Sequence, residues 1–346
     1  MSRPRPPKLR RDRDAFGKPI WLLDGELPEL PSEMPDSQLA DWQQARPREI
    51  EAALKRARAL PSGGWYVLCA SRELSDTPWY TCVDSHEIVA WKVSGSVRAV
   101  LNRCPHMGAP LSEGSLRDGA LVCPWHGLRV GAGEHGRLLE THDDGVLSWV
   151  RLEANPGAAE RPVLPARPER FIDGIIRFSC RCDPEDVIAN RLDPWHGVHL
   201  HPYSFARLLL LDKSDEVLTL RVVFRVTKSL GVEVDCTFHC PEPNTIVMTI
   251  VHGEGRGSVV ETHATPQAPG WTTVTEATLA TSDRPGFARL LKLASRLRPQ
   301  IERRARALWK EDRAYAERRY FHRHPELITE ALARPGRAPI GKPRHL

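Results

Sequence analysis

The chain has 346 residues, 41% hydrophobic and 27% charged, a mix suited to two soluble domains of ordinary size. No apolar run approaches the roughly 18–20 residues that cross a bilayer, so no transmembrane helix is expected. Lysine plus arginine total 49 against 44 acidic residues, and the resulting net charge of +5 is too weak a field to argue for nucleic acid.

Residues 1–61 read as an extension with one helix, Arg48–Leu60, opened by Pro47 and closed by Pro61. The Arg10–Arg11 pair is compatible with a twin-arginine signal, but Ile20–Leu23 is too short for a signal core and Asp24 ends it; a cytoplasmic setting is expected. From Gly64 the texture changes to short alternating runs, predicting strands at Trp65–Ala70, Glu87–Val93 and Ser96–Leu101. Gly and Pro punctuate residues 105–146, which implies loops packed around something. This all-β block is expected over 62–155, followed by a Pro-rich linker over 156–169.

The second domain is expected over 170–325. Runs at Val217–Val226, Val232–Phe238, Thr245–Val251, Ser258–Thr265 and Trp271–Leu279 are consecutive and of period two, which predicts an antiparallel sheet. Two helices are predicted after it, Gly286–Arg298 and Pro299–Phe321. The Pro/Arg-rich tail, 326–346, has the composition of a disordered segment.

Eight cysteines are too few for a disulfide scaffold, and two of them need a special explanation. Cys104-Pro-His106 is followed after sixteen residues by Cys123-Pro-Trp-His126. Each half offers one thiolate and one imidazole on a Pro/Gly-shaped loop. Zinc could accept such a set, but zinc fingers usually pair cysteine with cysteine and histidine with histidine. A Rieske [2Fe-2S] cluster needs the mixed arrangement, with two cysteines on one iron and two histidines on the other. Gly108 and Gly127 follow where the backbone is expected to pass close to sulfur. The string CPHMGAPL…CPWHGL resembles the Rieske domain of ring-hydroxylating oxygenases. Respiratory Rieske proteins carry an extra cysteine in each loop; Ala109 and Trp125 stand at those positions here, which favours the oxygenase or ferredoxin branch. Leu128 departs from the aromatic residue common after His-Gly.

A second constellation lies at Asn190-Arg-Leu-Asp193-Pro-Trp-His196-Gly-Val-His199-Leu-His201. Non-haem iron that activates O2 uses two histidines and one carboxylate on one face. From spacing alone His199 competes with His201 as the partner of His196. The segment resembles the N-x-x-D-x-x-H-x-x-x-x-H stretch of Rieske non-haem iron oxygenases, and that resemblance selects His196 and His201 as iron ligands. It also implies that Asn190 sits beside the iron and that Asp193 bridges to a cluster histidine of a neighbouring subunit.

The third ligand must come from far along the chain. On a helical wheel at about 100° per residue, Ile301, Ala305, Leu308, Trp309, Tyr315 and Ala316 fall within about 60° of Asp312. Asp312 therefore sits amid an apolar stripe, where an unpaired carboxylate is costly. Iron ligation resolves that cost, and so would a salt bridge to Arg319 on the same face. Glu311 points about 100° away. The string resembles the E-D-x-x-x-x-E segment that supplies the carboxylate ligand in single-subunit members of the family.

Cys236, His239 and Cys240 alternate within one run and are read as packing, as are Cys180 and Cys182. The Arg-dense stretch 303–319 is read as a solvated face that could steer an acidic partner. The resemblance covers about 62–322. It implies an α+β protein: a Rieske [2Fe-2S] all-β domain, then a helix-grip catalytic domain with an antiparallel sheet and a long C-terminal helix. It further implies a homotrimer in which NAD(P)H electrons arrive through a separate reductase or ferredoxin and cross from cluster to Fe(II). O2 would then serve to hydroxylate or oxidatively demethylate a small hydrophobic substrate of terpenoid, steroid, carotenoid-like or aromatic type. The rival reading is a Rieske electron carrier or lipid-binding module with a non-catalytic second domain. The chain has no Gly-rich dinucleotide loop after a strand, so NAD(P)H is not expected to bind it.

Overall fold

The protein was analysed as a computed structural model, which describes residues 9–23, 25–30, 47–131, 135–153, 159–214 and 216–328. Residues 156–158 of the expected linker and the tail beyond residue 328 lie outside the described residues.

The all-β block is a set of three small antiparallel sheets. Strands β3 (Trp65–Ala70), β10 (Glu140–Asp143) and β11 (Leu147–Arg151) form one, with β11 in the middle. Strands β4 (Trp79–Val83), β5 (His86–Val93) and β6 (Ser96–Leu101) form a second. The short strands β7 (Ser115–Arg117), β8 (Ala120–Val122) and β9 (Arg129–Val130) form the third. The second and third sheets bury Val89, Trp91, Val100, Leu121 and Val130, with Leu111 from the intervening turn, beneath the two Cys/His loops.

The second domain is built on a sheet in the order β13 (Phe205–Lys213), β14 (Val217–Arg225), β15 (Leu230–Glu242), β16 (Thr245–Gly253), β17 (Val259–Ala268), β18 (Trp271–Ala280) and β12 (Ile172–Cys180), all antiparallel. Helices α2 (Pro184–Arg191) and α3 (His196–Leu200) connect β12 to β13. After the sheet come the short α4 (Phe287–Leu291) and the long α5 (Ala294–Arg323). The expected break at Pro299 is absent, because α5 starts before it and carries Pro299 within the helix. Ala305, Trp309, Asp312, Ala316 and Tyr320 form its buried stripe, packed with Ile176, Val187, Ile188, Ile246 and Val274. Gly174 on β12 permits the approach of α5, since a Cβ there would stand 2.5 Å from Ile301.

The extension holds more than the one expected helix. Strands β1 (Leu9–Arg13) and β2 (Pro19–Leu23) form a hairpin, and β2 pairs in parallel with Leu230–Val232 of β15, beyond the point where β16 starts to pair. Ile20 and Leu22 are buried there with Ala206 and Val223. Arg207 bonds Asp12 at 3.0 Å and Glu233 at 2.7 Å, and Arg225 bonds Asp14 at 2.5 Å, fastening the hairpin to the sheet. Helix α1 (Pro47–Arg58) then packs Ile50 and Leu54 into the α2/α5 core.

The two domains meet along an apolar seam in which Trp65, Val67, Leu147 and Trp149 face Ile175, Ala277 and Leu279. Arg167 crosses the seam, bonding Glu261 through two nitrogens at 2.5 and 2.7 Å and lying 2.9 Å from Asp144. The Trp149 indole donates to Asp144 at 2.8 Å and meets the His263 ring edge-on at 5.0 Å.

Candidate metal centres

The two Cys/His loops have the same backbone plan. Cys104 N–H donates to Ala109 O and Gly108 N–H to Cys104 O; Cys123 N–H donates to Leu128 O and Gly127 N–H to Cys123 O. Gly108 and Gly127 adopt φ of +77° and +73°. No protein atom lies within 4 Å of a Cβ built on Gly127, so the left-handed backbone, not closeness to a cysteine sulfur, is what calls for glycine.

Cys104 and Cys123 are buried while His106 and His126 are exposed, their rings 4.9 Å apart and edge-on. Burial pushes the Cys123 thiol up, but the backbone N–H groups of Trp125 and His126 and the Cys104 side chain outweigh it and lower it. Two buried cysteines at the base, Cys123 with its thiolate stabilised, and two imidazoles at the tip match the donor set of a Rieske cluster. Met107 and Trp125 project beside the histidines, 65% and 56% exposed.

In the second domain, α2 and α3 carry Asn190, Asp193, His196 and His201 to the middle of α5. The ligating atoms of His196, His201 and Asp312 all lie within 4.8 Å of one another. Nε2 of His201 is 2.7 Å and Nε2 of His196 is 3.1 Å from the same oxygen, Asp312 Oδ1. Each imidazole is fixed through its other nitrogen: Nδ1–H of His196 donates to the Asp193 backbone carbonyl, and Nδ1–H of His201 donates to Glu311 at 2.7 Å. Both Nε2 atoms are thereby turned toward Asp312 Oδ1, where they can donate to it in the absence of an ion and would offer lone pairs to a bound metal. Two imidazole nitrogens and a carboxylate oxygen on one face suit non-haem iron. Asn190 donates to Asp312 Oδ1 at 3.3 Å, while its own carbonyl oxygen is buried without a partner among the described residues.

Burial would raise the Asp312 carboxyl, yet hydrogen bonds from both histidines and the Arg191 charge hold it far below its usual range. Burial would lower His201, and here Asp312 and Glu311 outweigh it and raise it. The competing residue His199 lies outside the group, its ring 5.9 Å from Phe16 of the N-terminal hairpin. The alternative partner Arg319 is engaged elsewhere, with Asp186 and Glu51. The cation beside Asp312 is Arg191, 3.3 Å from Oδ2 and also bonded to buried Glu276 at 2.5 Å.

Asp193 is 6% exposed; Tyr315 donates to its Oδ2 at 3.0 Å, and its Oδ1 is buried with no partner among the described residues. The sequence reading missed the functional contacts of Tyr315, Glu311, Tyr203 and Arg191. Tyr203 donates to Glu311 at 2.8 Å, so Glu311 faces the site from the stripe's edge. The available signal was position: Arg191 follows Asn190, and Tyr315 lies three residues past Asp312. Cys236 and Cys240 behave as packing residues, their thiols pushed up to about 12 by burial.

Residues 64–146 match the Rieske [2Fe-2S] domain, and residues 153–326, half of the chain, match the Domain of unknown function (DUF5914). The vanillate O-demethylase oxygenase subunit of a Pseudomonas species is 44% identical over 168 residues, 42% of this chain and 47% of that protein. The chloroacetanilide N-alkylformylase oxygenase component of Rhizorhabdus wittichii is 30% identical over 185 residues, 47% of this chain and 53% of that protein. The chain thus spans about half the length of these curated relatives. The crystal structure of dicamba monooxygenase bound to dicamba shares the fold, with a TM-score of 0.57 at 19% identity, over 80% of this chain and 92% of that one. The chain therefore belongs to the DUF5914 family, carries a Rieske [2Fe-2S] domain ahead of that domain, and shares the fold of a Rieske-type monooxygenase.

Proposed function

We propose that the chain is the oxygenase component of a monooxygenase system that hydroxylates or oxidatively demethylates a small, hydrophobic organic molecule. The observation that carries the proposal is the convergence of His196 Nε2 and His201 Nε2 on one oxygen of buried Asp312, with both Nδ1–H groups already committed. Cys104, His106, Cys123 and His126 would hold the Rieske cluster; His196, His201 and Asp312 would hold the mononuclear iron. When bound, the cluster supplies single electrons and the iron a site for O2 activation. Overall, two electrons and two protons are consumed, one oxygen atom entering the substrate and the other leaving as water.

The chain's own groups do the rest. Asp312 stays ionised inside an apolar helix face because Arg191 and the histidines face it. Glu311 and the Asp193 carbonyl fix the histidine tautomers. Tyr315 holds one Asp193 oxygen and leaves the other buried for a donor from outside the described chain. A cluster histidine of a second copy supplies that donor in a head-to-tail trimer, the exposed His106 and His126 tip docking beside Asp193. Relatives named as oxygenase subunit or component support a separate reductase or ferredoxin as the electron source.

The test is metal and sulfide analysis of anaerobically purified protein with EPR. About three irons and two sulfides per chain, with an anisotropic Rieske signal after reduction, are expected. His196→Ala should abolish turnover and keep that signal; Asp193→Ala should keep both metals and stop transfer between them. Zinc without sulfide, or two irons only, overturns the reading.

A further inference from the structure

The exposed α4 and the start of α5 present a combination that neither metal centre uses. From Arg284 to Arg298 the chain carries five cations and no acid. Two are taken: Arg284 pairs with Glu254 and Arg298 with Asp173. Arg289, Lys292 and Arg296 are exposed and have no ion-pair partner among the described residues. Leu290 and Leu293 project from the same segment, 45% and 42% exposed, while Phe287 beneath them is buried and anchors it. A hollow of about 500 Å³ opens beside α4, where Arg170, Arg256 and Arg284 outnumber Glu169 and Asp283. Asp283 already lies 3.6 Å from Arg256.

Solitary exposed leucines are ordinary, and so is a solvated row of arginines. Two leucines interleaved with three unpaired cations on one projecting element are different, because water rewards the cations and penalises the leucines. A nucleic-acid backbone would reward the arginines alone. The interface of an anionic bilayer rewards both, with phosphates meeting the cations and the acyl boundary taking the leucines. α4 is too short to cross and α5 too polar, and no described helix is both long and apolar enough to span a membrane. Attachment at the surface is the geometry that remains.

We propose that α4 and the first turn of α5 dock the protein on an anionic lipid surface. Arg289, Lys292 and Arg296 lie at headgroup level, and Leu290 and Leu293 insert. The hollow beside them is large enough to take a lipid headgroup, with Arg170 facing its phosphate. The inference stands apart from the oxygenase reading, since it requires no metal and no turnover.

The test is co-sedimentation of the full-length holoprotein with vesicles of phosphatidylcholine alone and with about one third phosphatidylglycerol added. Binding to the second and not the first is expected, with release in about 1 M NaCl, where the screening length is about 3 Å. Arg289→Glu, Lys292→Glu and Arg296→Glu together should weaken binding about a hundredfold or more. Leu290→Gln with Leu293→Gln should weaken it about tenfold while keeping the preference for the charged lipid. All five positions are exposed, so unchanged melting and an unchanged Rieske spectrum should accompany the loss. Equal partition to both vesicles, no binding to either, or a triple variant that binds like its parent overturns the proposal; the second outcome would point to an acidic protein on this face.

Discussion

Glu311 is where the proposed iron site can be loosened without touching any of its three proposed ligands. Its carboxylate accepts the Nδ1–H of His201 at 2.7 Å, and Tyr203 holds it at 2.8 Å. Replacing Glu311 with Ala leaves the Nδ1–H of a histidine that is 1% exposed without its acceptor. The tautomer that offers Nε2 is then no longer fixed, and the imidazole loses the basicity its carboxylate partner lends it. Loss of such a support typically lowers metal affinity about 10–100-fold. The Glu311 side chain is 39% exposed, so water can partly replace it and the lower end applies: about tenfold, or roughly 1.4 kcal/mol. Glu311→Gln keeps an acceptor without the charge and should fall between parent and Glu311→Ala. Metal-free protein titrated anaerobically with Fe(II) or Co(II) reads the constant directly, with the Rieske spectrum as an internal control. Affinity of Glu311→Ala within about twofold of the parent would refute the triad logic, since the coupling would then carry almost no free energy.

Tyr315→Phe removes a hydrogen bond to a buried carboxylate, worth about 1.5–3 kcal/mol, while keeping the ring that packs 5.3 Å from His196. Stopped-flow measurement of cluster reoxidation in a single turnover should show at least about a tenfold slowing, with iron content unchanged. Arg167→Met leaves Asp144 and Glu261 buried without the cation they share, and urea unfolding should show a loss of about 3–5 kcal/mol. Burial pushes the Glu261 carboxyl up, but Arg167 and His263 outweigh it and hold it below its ordinary value near 4.5. The stability it contributes is therefore complete above about pH 4.5 and lost as pH falls through the lowered folded value, so the gap between parent and Arg167→Met should close on acidification. Removing residues 1–25 strips Ile20 and Leu22 from their contacts, about 3 kcal/mol or more, and bares the Leu230–Val232 edge of β15; unfolding together with size-exclusion chromatography should show lower stability and self-association.

The parts of the fold that were legible are those whose signal is local. The runs Trp65–Ala70 and Ser96–Leu101 are strands as read, the first a short apolar run buried along nearly its whole length and the second a partly exposed run with buried Val97, Ala99 and Val100. The grouping of Cys104, His106, Cys123 and His126, and of His196 with His201, was visible because rare residue types fall within short windows. The N-terminal hairpin was not: Leu9-Arg-Arg-Asp-Arg13 is exposed and charged, and pairs only because β2 finds the edge of β15 and Asp12 and Asp14 find Arg207 and Arg225. Pro299 misled because a proline breaks a helix through one lost bond and one clash, and a long buried stripe downstream outweighs both. Arg191 was invisible for a third reason. A charge inside a motif looks like a solvated neighbour until the fold brings Asp312 to it.

The hairpin has a consequence for how the polypeptide is made. Residues 21–23 belong beside residues 230–232, and the whole Rieske block lies between them in the chain. The block is thus an insertion within the second domain's architecture, not a module joined to its N-terminal end. On the ribosome, the first strands emerge long before the edge they complete, while the cluster loops can already close. Cutting the chain ahead of the Rieske block would therefore not release a tail; it would pull two strands out of the catalytic sheet.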